Sequence, residues 1–318
     1  MGTRGRPFID HPSIHRKHVH NSGRIIMRIC RFEHQGAERS GIVLNETVVD
    51  LHWAAPELAE RFAPGDTRTL LTLGGEALAE LEAIARAAPA EARQPLGDVS
   101  LLAPIADPSK ILCSWVNYLN PAMAKLPDQP VFFSKFDSAI TGPTSDIILP
   151  RIAGDIVVEP EMTAIIGKRG RHIAEQDALS HVAGYTIVND VTAFSHRLQV
   201  IVGSPGPYAM AKTFDSFAPS GPWITTRDEI ADPHDLEVRQ YLNGDLRTSA
   251  NTSEAVFKLP KLISYLSGFF ELRPGDMILT GSPPPNAGKP EFLKAGDRVR
   301  IEIEGLGHIE SGVVEETA

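Results

Sequence analysis

Only two cysteines, Cys30 and Cys113, occur in 318 residues, which leaves no disulfide framework and no paired Cys/His zinc module. So few cysteines also agree with a reducing compartment, and a cytoplasmic location is expected. No apolar run approaches the roughly 20 residues that a membrane-spanning helix requires, and no membrane partner is expected. Positive charge is short as well. Lys and Arg number 31 against 40 Asp and Glu, a formal net charge of -9. That argues against gripping a phosphate backbone, so no nucleic-acid partner is expected and a small-molecule substrate fits better. Nucleotide cradles are missing too: no G-x-G-x-x-G follows a first strand, and there is no phosphate loop. No internal repeat is seen.

What is present reads as three stretches. Residues 1–26, MGTRGRPFIDHPSIHRKHVHNSGRII, are basic, hold four histidines between His11 and His20, and lack the apolar segment of a secretory signal. They read as a flexible N-terminal extension. Residues 27–100 read as a small N-terminal domain. Its alternating segment RICRFEHQGAERSGIVLNETVVDL breaks at Gln35-Gly36 and Asn45-Glu46, predicting two or three short antiparallel strands. Residues 53–91 carry helical spacing, as in GGEALAELEAIARAA. A Pro-rich junction near 100 opens the larger domain, 101–318. There strands dominate, with helices expected at 175–181 and 254–269 and a short turn at 228–230. Without regular βα alternation, a Rossmann or (β/α)-barrel fold does not fit. The expectation is a β-rich α+β protein.

The chemistry begins at GDIVVEPEMTAIIG (154–167), where Glu159 and Glu161 interrupt a β-branched run. In one continuous strand, residues i and i+2 project from one face. Either that face is solvated, or the two carboxylates share a cation that removes their repulsion and desolvation. Pro160, with no ladder donor to offer, suggests an edge or rim strand. GYTIVNDVTAF (184–194) ends a second strand in Asn189-Asp190. Asp is depleted in strands, so Asp190 is either a strand-end turn or a third oxygen ligand. Three carboxylates plus waters would suit Mg²⁺ or Mn²⁺.

These segments resemble the fumarylacetoacetate hydrolase family. E-x-E followed about 30 residues later by N-D-V-T-A is joined by FFSKFDSAITGP (132–143), AKTFDSFAPSGPWI (211–224), NTSEAVF (251–257), RPGDMILTGSP (273–283) and GDRVRIEIEGLG (296–307), in the family's order over roughly 28–314. The resemblance implies a β-roll or mixed β-sandwich catalytic domain behind a small α/β domain, assembled as a homodimer. It implies Glu159, Glu161 and Asp190 as ligands of Mg²⁺, with Mn²⁺ or Ca²⁺ as alternatives. It implies a 2-oxo or β-dicarbonyl acid substrate, handled through a metal-stabilised enolate. By position, Lys212 faces the substrate as a catalytic cation. Thr280, Gly281, Tyr118 and, more weakly, Lys135 are implied at the substrate; Lys135 also reads as a structural ion pair.

One part of the pattern is broken. Hydrolases of the family carry G-x-N-Y-x-x-H near the start of the catalytic domain, with a Glu three residues after the His. Here SWVNYLNPAMAKL keeps Asn117 and Tyr118 but places Pro121 and Ala124 at the positions of that water-activating dyad. Downstream, Phe194 and Arg197 replace the usual Arg and Gln. His196 can do acid–base work in the ordinary histidine range, and Arg197 can pair with a substrate carboxylate. Three readings follow. The first is enolate chemistry without hydrolytic water, as tautomerase, isomerase or decarboxylase. The second is a C–C hydrolase of the acylpyruvate or fumarylacetoacetate type with a substitute base such as His196. The third is a non-catalytic protein that binds metal and ligand.

Overall fold

The computed structural model describes residues 27–119, 127–194 and 208–317. The expectations for the 1–26 extension, for Pro121 and Ala124, and for His196 and Arg197 lie outside the described residues.

The leading segment is an antiparallel meander, β1 (Arg28–His34), β2 (Ala37–Leu44) and β3 (Thr47–Asp50). Gln35 and Gly36 both take positive φ, 53° and 75°, as the tight two-residue hairpin needs. The helical stretch divides into α1 (Leu51–Ala54), α2 (Thr67–Leu71) and α3 (Gly74–Ala87). Asp50 and Asp66 cap the first two by accepting from backbone amides one turn in. The strands β4 (Arg93–Pro95) and β5 (Ser100–Leu102) close the segment.

Beyond them come β6 (Ile111–Trp115), β7 (Val131–Lys135), β8 (Ile140–Thr141), β9 (Ile147–Leu149), β10 (Ile156–Val157), β11 (Pro160–Ile166), β12 (Val182–Asn189) and β13 (Thr192–Ala193). The short helix α4 (Tyr208–Lys212) leads into β14 (Ala218–Thr226), β15 (Glu237–Leu242) and β16 (Asp245–Asn251). Then α5 (Leu259–Phe269) precedes β17 (Met277–Leu279), β18 (Arg298–Ile303) and β19 (Gly307–Glu315).

One large mixed sheet runs β4-β3-β2-β1-β14-β12-β11-β17-β6-β7, with β5 on β1 and β8 on β14. A five-stranded sheet runs β16-β15-β18-β19-β9, and β10 pairs with β13 alone. The helical stretch at 175–181 is a 3-10 segment, and α5 starts at Leu259 because Pro260 sits in its first turn. The hydrogen-bond network crosses residue 100 without a break, since Arg28 and Ile29 pair with Thr225 and Ile224. Leu51, Leu70 and Leu81 from the leading segment share one apolar core with Ile165, Ile187, Leu262 and Ile278.

Two strand expectations need correction. Residues 154–167 and 184–194 are not single strands. Each leaves the large sheet at the same level: β11 begins at Pro160 and β12 ends at Asn189, while β10 and β13 form their own ladder. Nor is β11 an edge strand; it lies between β12 and β17. Pro160 is tolerated because it is the first residue of the strand and pairing with β17 begins only at Thr163.

Candidate metal centre and cleft

The corner where both strands change sheet is where the acidic residues gather. Asp190 N–H donates to Glu159 O at 2.9 Å, and Glu159 N–H donates to the Asn189 side-chain oxygen at 3.2 Å. These bonds lock the two corners together. Glu159, Glu161 and Asp190 each present a carboxylate oxygen, and the three lie within 4.8 Å of one another. The convergence expected from an i, i+2 pair therefore occurs, although Glu159 lies in the break rather than in the strand. Glu161 and Asp190 are buried and Glu159 is half-buried.

Two lysines compensate this charge from opposite sides. Lys212, at the end of α4 and 1% exposed, donates from Nζ to Glu159 Oε2 at 2.6 Å and to Asp190 Oδ2. Its ammonium also stands 4.9 Å from the centroid of the Phe133 ring. Lys135, at the end of β7, donates to Asp190 Oδ1 at 2.6 Å and to Val191 O at 3.1 Å. Burial alone would push Asp190 up, but the two ammonium groups outweigh it and hold its carboxyl below the usual range. Burial depresses the Lys212 ammonium less than Asp190 and Glu159 support it, and it stays protonated above the ordinary lysine range.

Glu161 differs. Among the described residues its one hydrogen-bond donor is the Gly281 amide, at 2.6 Å from Oε2. Burial, then the Asp190 charge, push its carboxyl well above the usual range. A buried carboxylate with one donor and two acidic neighbours is what a divalent cation would satisfy. The donor set is all oxygen, which suits a hard ion such as Mg²⁺, Mn²⁺ or Ca²⁺. The residues present therefore fit the implied metal.

The remaining candidates take distinct places. Tyr118 is buried and lines the cleft; burial and the Glu161 charge push its phenol up, so it stays protonated. Gly281 and Thr280 sit behind Glu161: the Thr280 hydroxyl donates to Met162 O at 2.8 Å. Lys135 does not line the cleft; its Nζ is engaged on the far side of Asp190. Asn117 binds the ensemble together. Its Nδ2 donates to Phe257 O at 2.9 Å and Thr280 O at 2.8 Å, and its Oδ1 accepts from Phe257 N–H at 2.7 Å. Sequence reasoning passed over the side chains of Asn117 and Asn189 as supports, although both stand beside residues it selected.

The cleft over the three carboxylates has a volume of about 340 Å³. Its walls include Tyr118, Phe133, Phe194 and Lys212, with Gln240, Thr248 and the run Ser282–Pro285. Among the described residues no histidine lines it.

Residues 110–314 match the sequence profile of the fumarylacetoacetate (FAA) hydrolase C-terminal family. Over 318 aligned residues the chain is 37% identical to oxaloacetate tautomerase fahd2, mitochondrial, of Xenopus laevis, covering 96% of this chain and 95% of that protein. Among solved structures it is similar to maleylpyruvate hydrolase from Sphingobium sp. SYK-6 in complex with manganese(II) ion and pyruvate. That match has a TM-score of 0.76 at 30% identity and covers 92% of this chain and 100% of that one. It is also similar to 2-hydroxyhepta-2,4-diene-1,7-dioate isomerase from Mycobacterium marinum, with TM-score 0.71, 29% identity, and 92% and 100% covered. The Xenopus relative is described as mitochondrial, which overturns the cytoplasmic expectation. Scarce cysteine separates reducing from oxidising surroundings and does not distinguish one reducing compartment from another.

Proposed function

The chain belongs to the fumarylacetoacetate hydrolase family, and we propose that it interconverts the enol and keto forms of a short 2-oxo dicarboxylic acid of the oxaloacetate kind. The observation that carries this reading is one corner at which three carboxylates converge with the Lys212 ammonium at the floor of a cleft. A divalent ion, Mg²⁺ or Mn²⁺, held by Glu159, Glu161 and Asp190 would supply Lewis acidity for the negative charge that develops on the substrate's oxo oxygen.

The chain's own groups do the rest. Lys212 Nζ is a fixed positive charge and donor beside that oxygen, and its bonds to Glu159 and Asp190 keep it oriented before substrate arrives. Tyr118 presents a protonated phenol on the wall; it would give its proton to the enolate carbon and be reprotonated by the one that the enol hydroxyl releases. Lys135, Gly281 and Thr280 act through the ligands, holding Asp190 and Glu161 in place. Tautomerisation relocates one proton and consumes no water. Hydrolysis needs a base to activate water, and Pro121 and Ala124, at the dyad positions, have no titratable side chain. The Xenopus relative, described as an oxaloacetate tautomerase, supports the same choice.

The test is to add metal-loaded protein to the enol of oxaloacetate and follow loss of the enol's ultraviolet absorbance. Acceleration abolished by EDTA and restored by Mg²⁺ or Mn²⁺ is expected. No acceleration over buffer with either ion would sink the reading. Metal-dependent release of acetate from acetylpyruvate would favour hydrolysis instead.

A homodimer is proposed with it. β7 is the outer strand of the large sheet, and beside it Phe132 stacks on Tyr265 while Val131 and Phe269 are 38% and 62% exposed. An unpaired edge with an apolar flank is a surface that a second copy would cover.

A further inference from the structure

We propose that the cleft holds a second recognition point, in which the Gln240 carboxamide, aimed by Thr248 and joined by the Lys289 ammonium, receives the far carboxylate of the substrate. This rests on the reading of the metal end given above and adds the feature that selects a diacid.

The first observation is a polar residue on an apolar row. Along β15 the inward positions are Val238, Gln240 and Leu242, and all three are buried. Gln240 is 5% exposed. Directly across the ladder stands Thr248, the one buried residue of β16, whose hydroxyl donates to Gln240 Oε1 at 3.1 Å. That bond spends the carbonyl of the carboxamide. Its Nε2 makes no hydrogen bond among the described residues, and Gln240 lines the cleft. Nε2 is not sealed from the cleft, and its two N–H donors remain for a ligand.

The second observation is the cavity itself. A smaller chamber of about 100 Å³ adjoins the cleft, and Val158, Gln240, Pro285 and Lys289 line both. Gln240 thus stands at the junction, and the chamber's own lining includes none of the three carboxylates. The wall opposite is built in advance: Asn286 N–H donates to Arg247 O at 2.8 Å, and Ser249 N–H donates to Asn286 Oδ1 at 3.0 Å. These bonds fasten the proline-rich loop to β16 and set where Lys289 leaves it.

The third is charge. Arg247 faces the chamber but is paired with Asp245 and Glu291, at 3.2 Å each. Lys289 has no ion-pair partner among the described residues, so it is the uncompensated cation at the junction. A 2-oxo diacid uses one carboxylate and its oxo group at the metal end. Its other carboxylate extends past that end into the cleft, where it loses water and needs donors to replace it, and Gln240 with Lys289 provides them.

The test compares two enols, oxaloacetate and phenylpyruvate, on metal-loaded wild type, Gln240→Leu and Lys289→Met. For each variant, kcat/KM on oxaloacetate should fall at least tenfold relative to phenylpyruvate, mainly through KM. Thr248→Val should give part of that shift, and Thr248→Ser should restore it. An equal loss on both acids, or an unchanged ratio, overturns the proposal. Binding is read separately by titrating the Mn²⁺-loaded proteins with oxalate, which has no extended tail, and with 2-oxoglutarate. Gln240→Leu should weaken 2-oxoglutarate at least tenfold more than oxalate, and equal weakening overturns the proposal. If wild type tautomerises neither acid, the functional reading falls while this binding ratio still decides the distal point. If Gln240→Leu does not fold, the exposed Lys289→Met carries the same comparison.

Discussion

Burial and the Asp190 charge keep a proton on Glu161 to higher pH than on a free glutamate. A cation binding there must displace that proton. Metal affinity should therefore rise with pH and level off once pH passes the raised Glu161 value. Calorimetry in two buffers of different ionisation heat should register proton release on the acid side of that window. The stability sign is opposite to that of Asp190. A raised carboxyl lends stability that is present at low pH and lost as pH climbs through its folded value. The depressed Asp190 lends stability that is lost as pH falls through its own. Glu161→Gln should remove the proton release and weaken the metal. In the proposed reaction Lys212→Met would remove a donor at the developing oxyanion, and kcat should drop by about 10²–10³-fold. Metal should still bind this variant, since the three ligands remain.

At the scale of elements, the cleft depends on a joint between the chain after β6, the turn before α5 and the end of β17. Asn117 makes that joint with three side-chain hydrogen bonds. Asn117→Ala should cost about 2–4 kcal/mol, because buried partners at Phe257 and Thr280 are left unpaired; the urea midpoint measures it. Gly281→Ala should both destabilise and loosen metal. Its φ is +92°, and an added Cβ would lie 2.7 Å from Asn117 Cβ, forcing the amide away from Glu161. Much of this was legible in the chain. The hairpins were announced by Gln35-Gly36 and Asn45-Glu46, and the acidic corner by Glu159, Glu161 and Asp190 standing where apolar or β-branched residues were due. The change of sheet at that corner was not legible. Period-two alternation encodes which face a side chain takes, not which neighbour the strand pairs with next. Gln240 escaped notice for a related reason: in sequence it is one polar residue among alternating ones, and it acquires meaning only with Thr248 across the ladder.

For the whole molecule, the edge at β7 carries the next expectation. Light scattering should give twice the mass of one chain, and Val131→Lys with Phe269→Glu should halve it. A wild-type mass of one chain would count against the dimer. The leading meander is coupled to the site as well, since β1 pairs with β14, β14 with β12, and β12 ends beside Asp190. Loosening β1 should thus weaken metal binding at a distance of three strands.

The groups that make the metal corner are spread from Lys135 to Gly281, with Lys212 between them. A ribosome delivers them in that order, and the amide that holds Glu161 is among the last to emerge. No nascent fragment ending before Gly281 has the complete set. An ion held by these carboxylates would meet the complete set only late, in the pool that surrounds the chain when folding finishes. Its identity would then depend on timing and place as well as on the oxygen donors that receive it.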